Sequence, residues 1–238
     1  MCALFRGSIN NIGGIPVYLS LPYGKPKTRG GVFLIHDWWG LDTALKQKSD
    51  QIARWGYPVC SIDLFNGQSA KTPEEASALF SGVNPEATLE KISRCLLGLQ
   101  KIKGFQQVIA MGWSLGATYA LLAALSPQSM VQAAISYYGS LPQSADELRH
   151  CRVPLFCLVG RRDGWITQKM VQIFRNACRR ARVNVECVEY DAGHAFADPR
   201  SKTFDKLAAQ DAEIAVRQFL KRQLGKTNAH SQDSAMLR

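Results

Sequence analysis

The chain has 238 residues, 46% of them hydrophobic and 20% charged, a length and apolar content that suit one large domain with a sizeable core and no shift in composition that argues for two. No apolar stretch approaches the length of a transmembrane helix, and the first eight residues lack the basic-then-apolar pattern of a secretory signal. The formal net charge is +10, with nine basic residues between Arg149 and Arg182, but Arg175, Arg179, Arg180 and Arg182 fall on and after one predicted helix with no aromatic residues interleaved, the pattern of a solvated helix face and not of a nucleic-acid surface.

Strands and helices alternate along the chain. An early strand is predicted over 17–21, a basic turn over 25–31, and a near-continuous apolar strand over 31–36, the signature of a strand buried on both faces. A helix over 44–55 stops at Gly56, and a strand over 57–63 follows. Pro73 opens a short helix and Pro85 a longer amphipathic one to about residue 103. Strands are predicted over 107–111, 131–137, 153–159 and 183–190, with helices after 116, over 168–182 and over 202–224. The polar, aperiodic 225–238 is expected to be a tail outside the 1–224 domain. The sum is a doubly wound, mostly parallel α/β sheet with helices on both faces, whose site should lie at the carboxyl ends of the strands.

The most informative stretch is Gly112-Trp113-Ser114-Leu115-Gly116, between an apolar strand and a helix-forming run. That context fits the G-x-S-x-G nucleophile elbow, in which small residues two before and two after the serine let the backbone turn sharply and lift the hydroxyl above the sheet. Ser114 is the candidate nucleophile.

A serine needs a base, and a base needs an acid to hold its tautomer. Of the four histidines, His36 ends a strand ahead of the elbow, His150 precedes the 153–159 strand, and His230 lies in the tail. His194, in a loop between the last strand and the last helix, stands where this architecture places its base. Asp163 directly follows the 153–159 strand and gives the chain order nucleophile, acid, base; Asp191 competes for the acid role but suits a turn former better. The oxyanion hole is expected from the Leu115 N–H and, after the 31–36 strand, the Trp38 N–H. Asp37, Trp39, Trp113, Trp165 and Phe196 flank these positions and predict an aromatic substrate pocket, although core packing should claim some of these rings.

Seven cysteines, Cys2, Cys60, Cys95, Cys151, Cys157, Cys178 and Cys187, form an odd set with no C-x-x-C pair and mostly apolar neighbours, as expected of reduced core thiols in a cytoplasmic protein. No G-x-G-x-x-G follows an early strand, and no histidine or carboxylate cluster has metal-ligand spacing.

Together, Leu34-Ile35-His36-Asp37-Trp38-Trp39-Gly40-Leu41, Ile62-Asp63-Leu64-Phe65, the elbow, Asp163 and His194-Ala195-Phe196 resemble the dienelactone hydrolase family of α/β-hydrolases over roughly residues 12–222. The resemblance implies hydrolysis of a small ester or lactone with no cofactor, and an acidic residue close to the nucleophile at the position of Asp37. Two departures stand out. Dienelactone hydrolases proper carry cysteine where this chain has Ser114, and an arginine for the substrate carboxylate where it has Asp198. Arg161, Arg162 and Arg200 are other cations near enough to replace that arginine. Thioester or peptide cleavage, or a non-catalytic interaction role on the same fold, are the alternatives.

Overall fold

The structure is a computed structural model and describes residues 6–23 and 30–225. Most of the basic turn expected over 25–31, the tail beyond 225, Cys2 and His230 lie outside the described residues.

Strands β1 (Ser8–Ile12), β2 (Ile15–Ser20), β3 (Gly30–Ile35), β4 (Val59–Ile62), β5 (Gln107–Trp113), β6 (Ala133–Tyr137), β7 (Leu155–Gly160) and β8 (Val185–Tyr190) form one sheet in the order β1-β2-β4-β3-β5-β6-β7-β8. The β1–β2 and β2–β4 pairs are antiparallel and the rest parallel, so the expected mostly parallel sheet is present. Strand β1 was not anticipated. Its first four residues are exposed and largely polar, so no apolar alternation betrays it; a two-residue turn at Gly13-Gly14, with φ of 62° and 82°, folds it back onto β2.

Helices α1 (Thr43–Arg54) and α6 (Lys206–Leu224) cover one face of the sheet; α3 (Pro85–Leu99), α4 (Leu115–Leu125) and α5 (Gln168–Ala181) cover the other, and α2 (Pro73–Ser81) packs beside the loop after β3. Alternate residues of β3 serve the two layers: Phe33 and Ile35 pack with α3 and α4, Val32 and Leu34 with α1 and α6. In the second layer the rings of Phe156 and Phe219 stack at 4.8 Å. Each such fully buried side chain contributes about 1.5–3 kcal/mol of transfer free energy.

Two helix boundaries differ from expectation. Helix α3 ends at Leu99, where residues 101–104 tighten into turns, and α6 begins at Lys206 because Asp205 accepts the Ala208 N–H and caps it there. Cys60, Cys95, Cys151, Cys157 and Cys178 are buried free thiols and Cys187 is half-buried. No described helix is long and apolar enough to cross a membrane. Chain direction across the sheet reverses between β3 and β5, and the loops after these two strands open the crevice where ligands of such sheets bind.

Candidate active site

Strand β5 delivers Ser114 at φ 47° and ψ −112°, a conformation that few non-glycine residues adopt. The flanking glycines are steric requirements. A Cβ at Gly112 would strike the backbone of Gly116, and one at Gly116 would strike the carbonyls of Ile35 and His36. The first turn of α4 thereby lies against the end of β3. The other five helices begin with side-chain caps, from Asp42, Thr72, Asn84, Thr167 and Asp205, whereas Ser114 at the N-cap of α4 makes no capping bond. Its Oγ lies instead 3.1 Å from His194 Nε2. The orphan N–H groups and positive dipole end of α4 therefore remain open to an incoming negative charge.

His194 Nδ1 is 2.8 Å from Asp163 Oδ2, with the Asp163 side chain fully buried and that of His194 24% exposed. Asp163 Oδ1 accepts the Trp165 N–H at 2.7 Å and the Ile166 N–H at 3.0 Å. Burial raises the Asp163 pKa, but the bonds from His194, Ile166 and Trp165 outweigh it and hold the carboxyl below its usual range. An ionised Asp163 keeps the proton on Nδ1 and turns the Nε2 lone pair toward Ser114. Asp191, the competing acid, is exposed and pairs with Arg162 at 3.3 Å, not with His194.

In the loop after β3, the Trp39 N–H is bound by Asp37 Oδ1 at 2.9 Å and the Gly40 N–H by the Asp37 carbonyl at 3.3 Å. Neither the Trp38 N–H nor the Leu115 N–H has an acceptor among the described residues. These are the two amides expected to face an oxyanion.

Around this centre the expected residues part ways. Trp165 is 78% exposed, its ring roughly parallel to that of His194 at 5.9 Å. Trp113 is half-buried and stacks on Tyr137 at 5.4 Å. Phe196 is corrected: it is completely buried among Tyr137, Tyr138 and Tyr190 and presents no face to a substrate. Trp39 is 9% exposed, packs with Ala70 and Ala76, and donates its indole N–H to Asp198 at 3.1 Å. Tyr138, whose ring lies 5.1 Å from that of His194, was missed; its signal is a backbone φ of 43°, which no residue pattern announces.

Arg200 gathers three carboxylates: Asp198 at 2.9 Å, Asp42, and Asp37 at 3.7 Å. Burial would lower its pKa, and the bonds and charges of Asp198, Asp42 and Asp37 raise it instead. Burial pushes Asp37 up to about 7 against the opposing pull of the Trp39 N–H and Arg200. Arg161 pairs with Glu189 at 3.7 Å and Arg162 with Asp191, so all three candidate cations are engaged by the protein's own acids. A cavity of about 780 Å³ between α1 and α6 reaches Asp37, Trp113, Tyr138, Asp198 and Arg200, although neither Ser114 nor His194 lines it. Among the described residues no three His, Cys, Asp or Glu side chains converge to hold a metal ion.

The dienelactone hydrolase family model matches residues 15–224. Protein usf of Aquifex pyrophilus is 26% identical over 219 residues, covering 87% of this chain and 93% of its own. A protein of Aquifex aeolicus with the provisional name carboxymethylenebutenolidase is 27% identical over 212 residues, covering 82% and 89%. Among solved structures, a dienelactone hydrolase-like promiscuous phosphotriesterase from metagenomic libraries superposes with a TM-score of 0.80 at 18% identity, over 92% of this chain and 100% of that one. With the match spanning nearly the whole of the described sheet, the chain belongs to the dienelactone hydrolase family of α/β-hydrolases.

Proposed function

We propose that the protein is a serine-dependent carboxylic ester hydrolase that cleaves a small, uncharged ester or lactone through an acyl-enzyme. The observation that carries this reading is the continuous chain Ser114 Oγ to His194 Nε2 at 3.1 Å and His194 Nδ1 to Asp163 Oδ2 at 2.8 Å. Ser114 Oγ attacks the carbonyl carbon while its proton passes to Nε2, and Asp163 stabilises the imidazolium. The Leu115 and Trp38 amides face the oxygen that becomes negative. His194 then returns the proton to the departing alkoxide, which in a lactone stays tethered to the acyl group. A water enters, gives a proton to Nε2 and attacks the acyl carbon; the proton finally returns to Ser114 as the acid leaves.

The preference for an uncharged substrate follows from Arg200. A guanidinium already bonded to Asp198 and Asp42 and close to Asp37 has little left for a substrate carboxylate, and Asp198 stands where the family resemblance leads one to expect a free arginine. The exposed face of Trp165 beside His194 suits a flat or apolar group on the substrate.

The test is a panel of chromogenic esters, thioesters and lactones on purified protein, with a fluorophosphonate and a thiol alkylator as probes. Hydrolysis of neutral oxygen esters, loss of activity to the fluorophosphonate with the label on Ser114, and survival of cysteine alkylation are expected. A label on another residue, or turnover untouched by the probe, overturns the reading.

A further inference from the structure

His36 takes no part in the chemistry above, yet it sits one residue before the loop that carries the Trp38 amide. Its ring is fully buried, edge-on to Phe65 at 4.6 Å, and engaged at both nitrogens. The Leu64 N–H lies 3.0 Å from Nε2, and the Asp37 carbonyl oxygen 2.6 Å from Nδ1. An amide N–H can only donate, so Nε2 must offer a lone pair. The single proton of the neutral ring therefore resides on Nδ1 and is donated to the Asp37 carbonyl. Burial lowers the His36 pKa and favours this neutral form.

The consequence lies in the next peptide. In a planar trans peptide the C=O and N–H point in opposite directions. A carbonyl of Asp37 held toward His36, with a longer second bond from the Gly40 N–H at 3.3 Å, leaves the Trp38 N–H pointing away from the ring, with no acceptor among the described residues. Were this peptide to flip, an acceptor would replace a donor where negative charge develops. We infer that His36 is a positioning residue for the transition state: its Nδ1–H locks the Asp37–Trp38 peptide so that the Trp38 N–H is aimed at the oxyanion. The inference rests on the Ser114 hydrolase reading.

Two substitutions separate the two sides of the ring. His36→Asn keeps a donor near the place of Nδ1, whereas His36→Gln reaches the place of Nε2 and keeps the acceptor for Leu64. The Gln variant is expected to lose about 100-fold in kcat with KM within about twofold, and to bind an arylboronic acid, which forms a tetrahedral anion on the serine, weaker by a similar factor. The Asn variant is expected to retain kcat within about threefold, although it is no more stable to heat than the Gln variant. A Gln variant with the kcat and boronate affinity of the unaltered protein overturns the inference, as do losses that merely follow melting temperature in both variants. The Gln variant decides the question even if the Asn variant does not fold. Ser114→Ala separates the two levels: activity in that variant sinks the hydrolase reading, whereas an inactive Ser114→Ala beside a fully active His36→Gln sinks only the role of His36.

Discussion

His36 and His194 stand at the same edge of the sheet, one after β3 and the other after β8, and each uses Nδ1 as its donor side. Their surroundings are opposed. His194 is partly exposed, with a carboxylate at Nδ1 and a hydroxyl at Nε2; His36 is enclosed, with a neutral carbonyl at Nδ1 and a backbone N–H at Nε2. A carboxylate can stabilise the positive ring that forms when Nε2 takes a proton, whereas a buried peptide carbonyl opposite an obligatory donor cannot. In the proposed mechanism one histidine carries a proton, while the other is fixed in one tautomer. What separates proton carrier from scaffold is the group each nitrogen faces.

The sharpest way to break this contrast is at the cycling histidine and its serine. Ser114→Ala and His194→Ala are each expected to lower kcat by a factor of about 10⁴ or more. Thermal unfolding of Ser114→Ala should hardly change, because the hydroxyl neither caps α4 nor packs in the core. Steady-state kinetics beside circular dichroism tests both statements; residual activity above a few per cent in a folded Ser114→Ala would remove that serine from the mechanism.

Next in size is the carboxylate that distinguishes the two rings. Asp163→Asn keeps an oxygen for the Trp165 and Ile166 N–H groups but loses the charge opposite Nδ1, and a drop in kcat of about 10³–10⁴ is expected. Asp191→Asn removes only one side of an exposed pair with Arg162 and should leave turnover within about twofold and stability within about 0.5 kcal/mol. The reverse ranking of turnover would move the acid role to Asp191.

The unequal legibility of these features in the sequence has physical reasons. Ser114 is announced by its neighbours, because the steric needs of an elbow are met within five residues. Asp163 and His194 follow from strand ends and chain order, since the parallel strands β3 to β8 bring their carboxyl ends to one side. The cluster of Asp37, Asp42, Asp198 and Arg200 was not legible, because it joins loops about 160 residues apart and depends on which way long side chains turn. The burial of Phe196 was not legible for a related cause: adjacency to a site residue says nothing about the face a ring presents. His36 offers no signal of its contacts in the sequence, because its hold on the Asp37 carbonyl exists only once the loop after β4 supplies the Leu64 N–H.

The engaged state of Arg200 predicts a smaller effect. A carboxylated dienelactone and its methyl ester, assayed side by side, should differ about 100-fold in kcat/KM in favour of the ester, since a single unscreened negative charge near the reacting centre opposes an anion by a few kcal/mol. A higher kcat/KM for the acid would show that Arg200 leaves its carboxylates to take the substrate.

The smallest expected effect concerns the residue that joins both sides of the comparison: Asp37 presents its carbonyl to His36 and its carboxyl to the Arg200 cluster. Burial holds that carboxyl at about 7, against 3.8 for an ordinary aspartate. Between those values Asp37 binds more protons in the folded protein than in the unfolded chain, so its contribution to stability falls as pH rises through the window. From pH 5 to pH 7 the loss from Asp37 alone amounts to about 2 kcal/mol. Asp163, whose pKa is depressed, acts with the opposite sign only below about pH 4, but His36, whose pKa burial lowers, acts with the opposite sign below about pH 6.5, inside the window, so the Asp37 effect is read as the difference between two proteins that share His36. Asp37→Asn retains an oxygen for the Trp39 N–H and removes the titrating group. Urea unfolding at pH 5, 6 and 7 should then show the stability of the unaltered protein falling relative to that of the variant as pH rises, by about 2 kcal/mol over the range. An equal slope in both would place the titration elsewhere and leave Asp37 ionised beside Arg200 throughout.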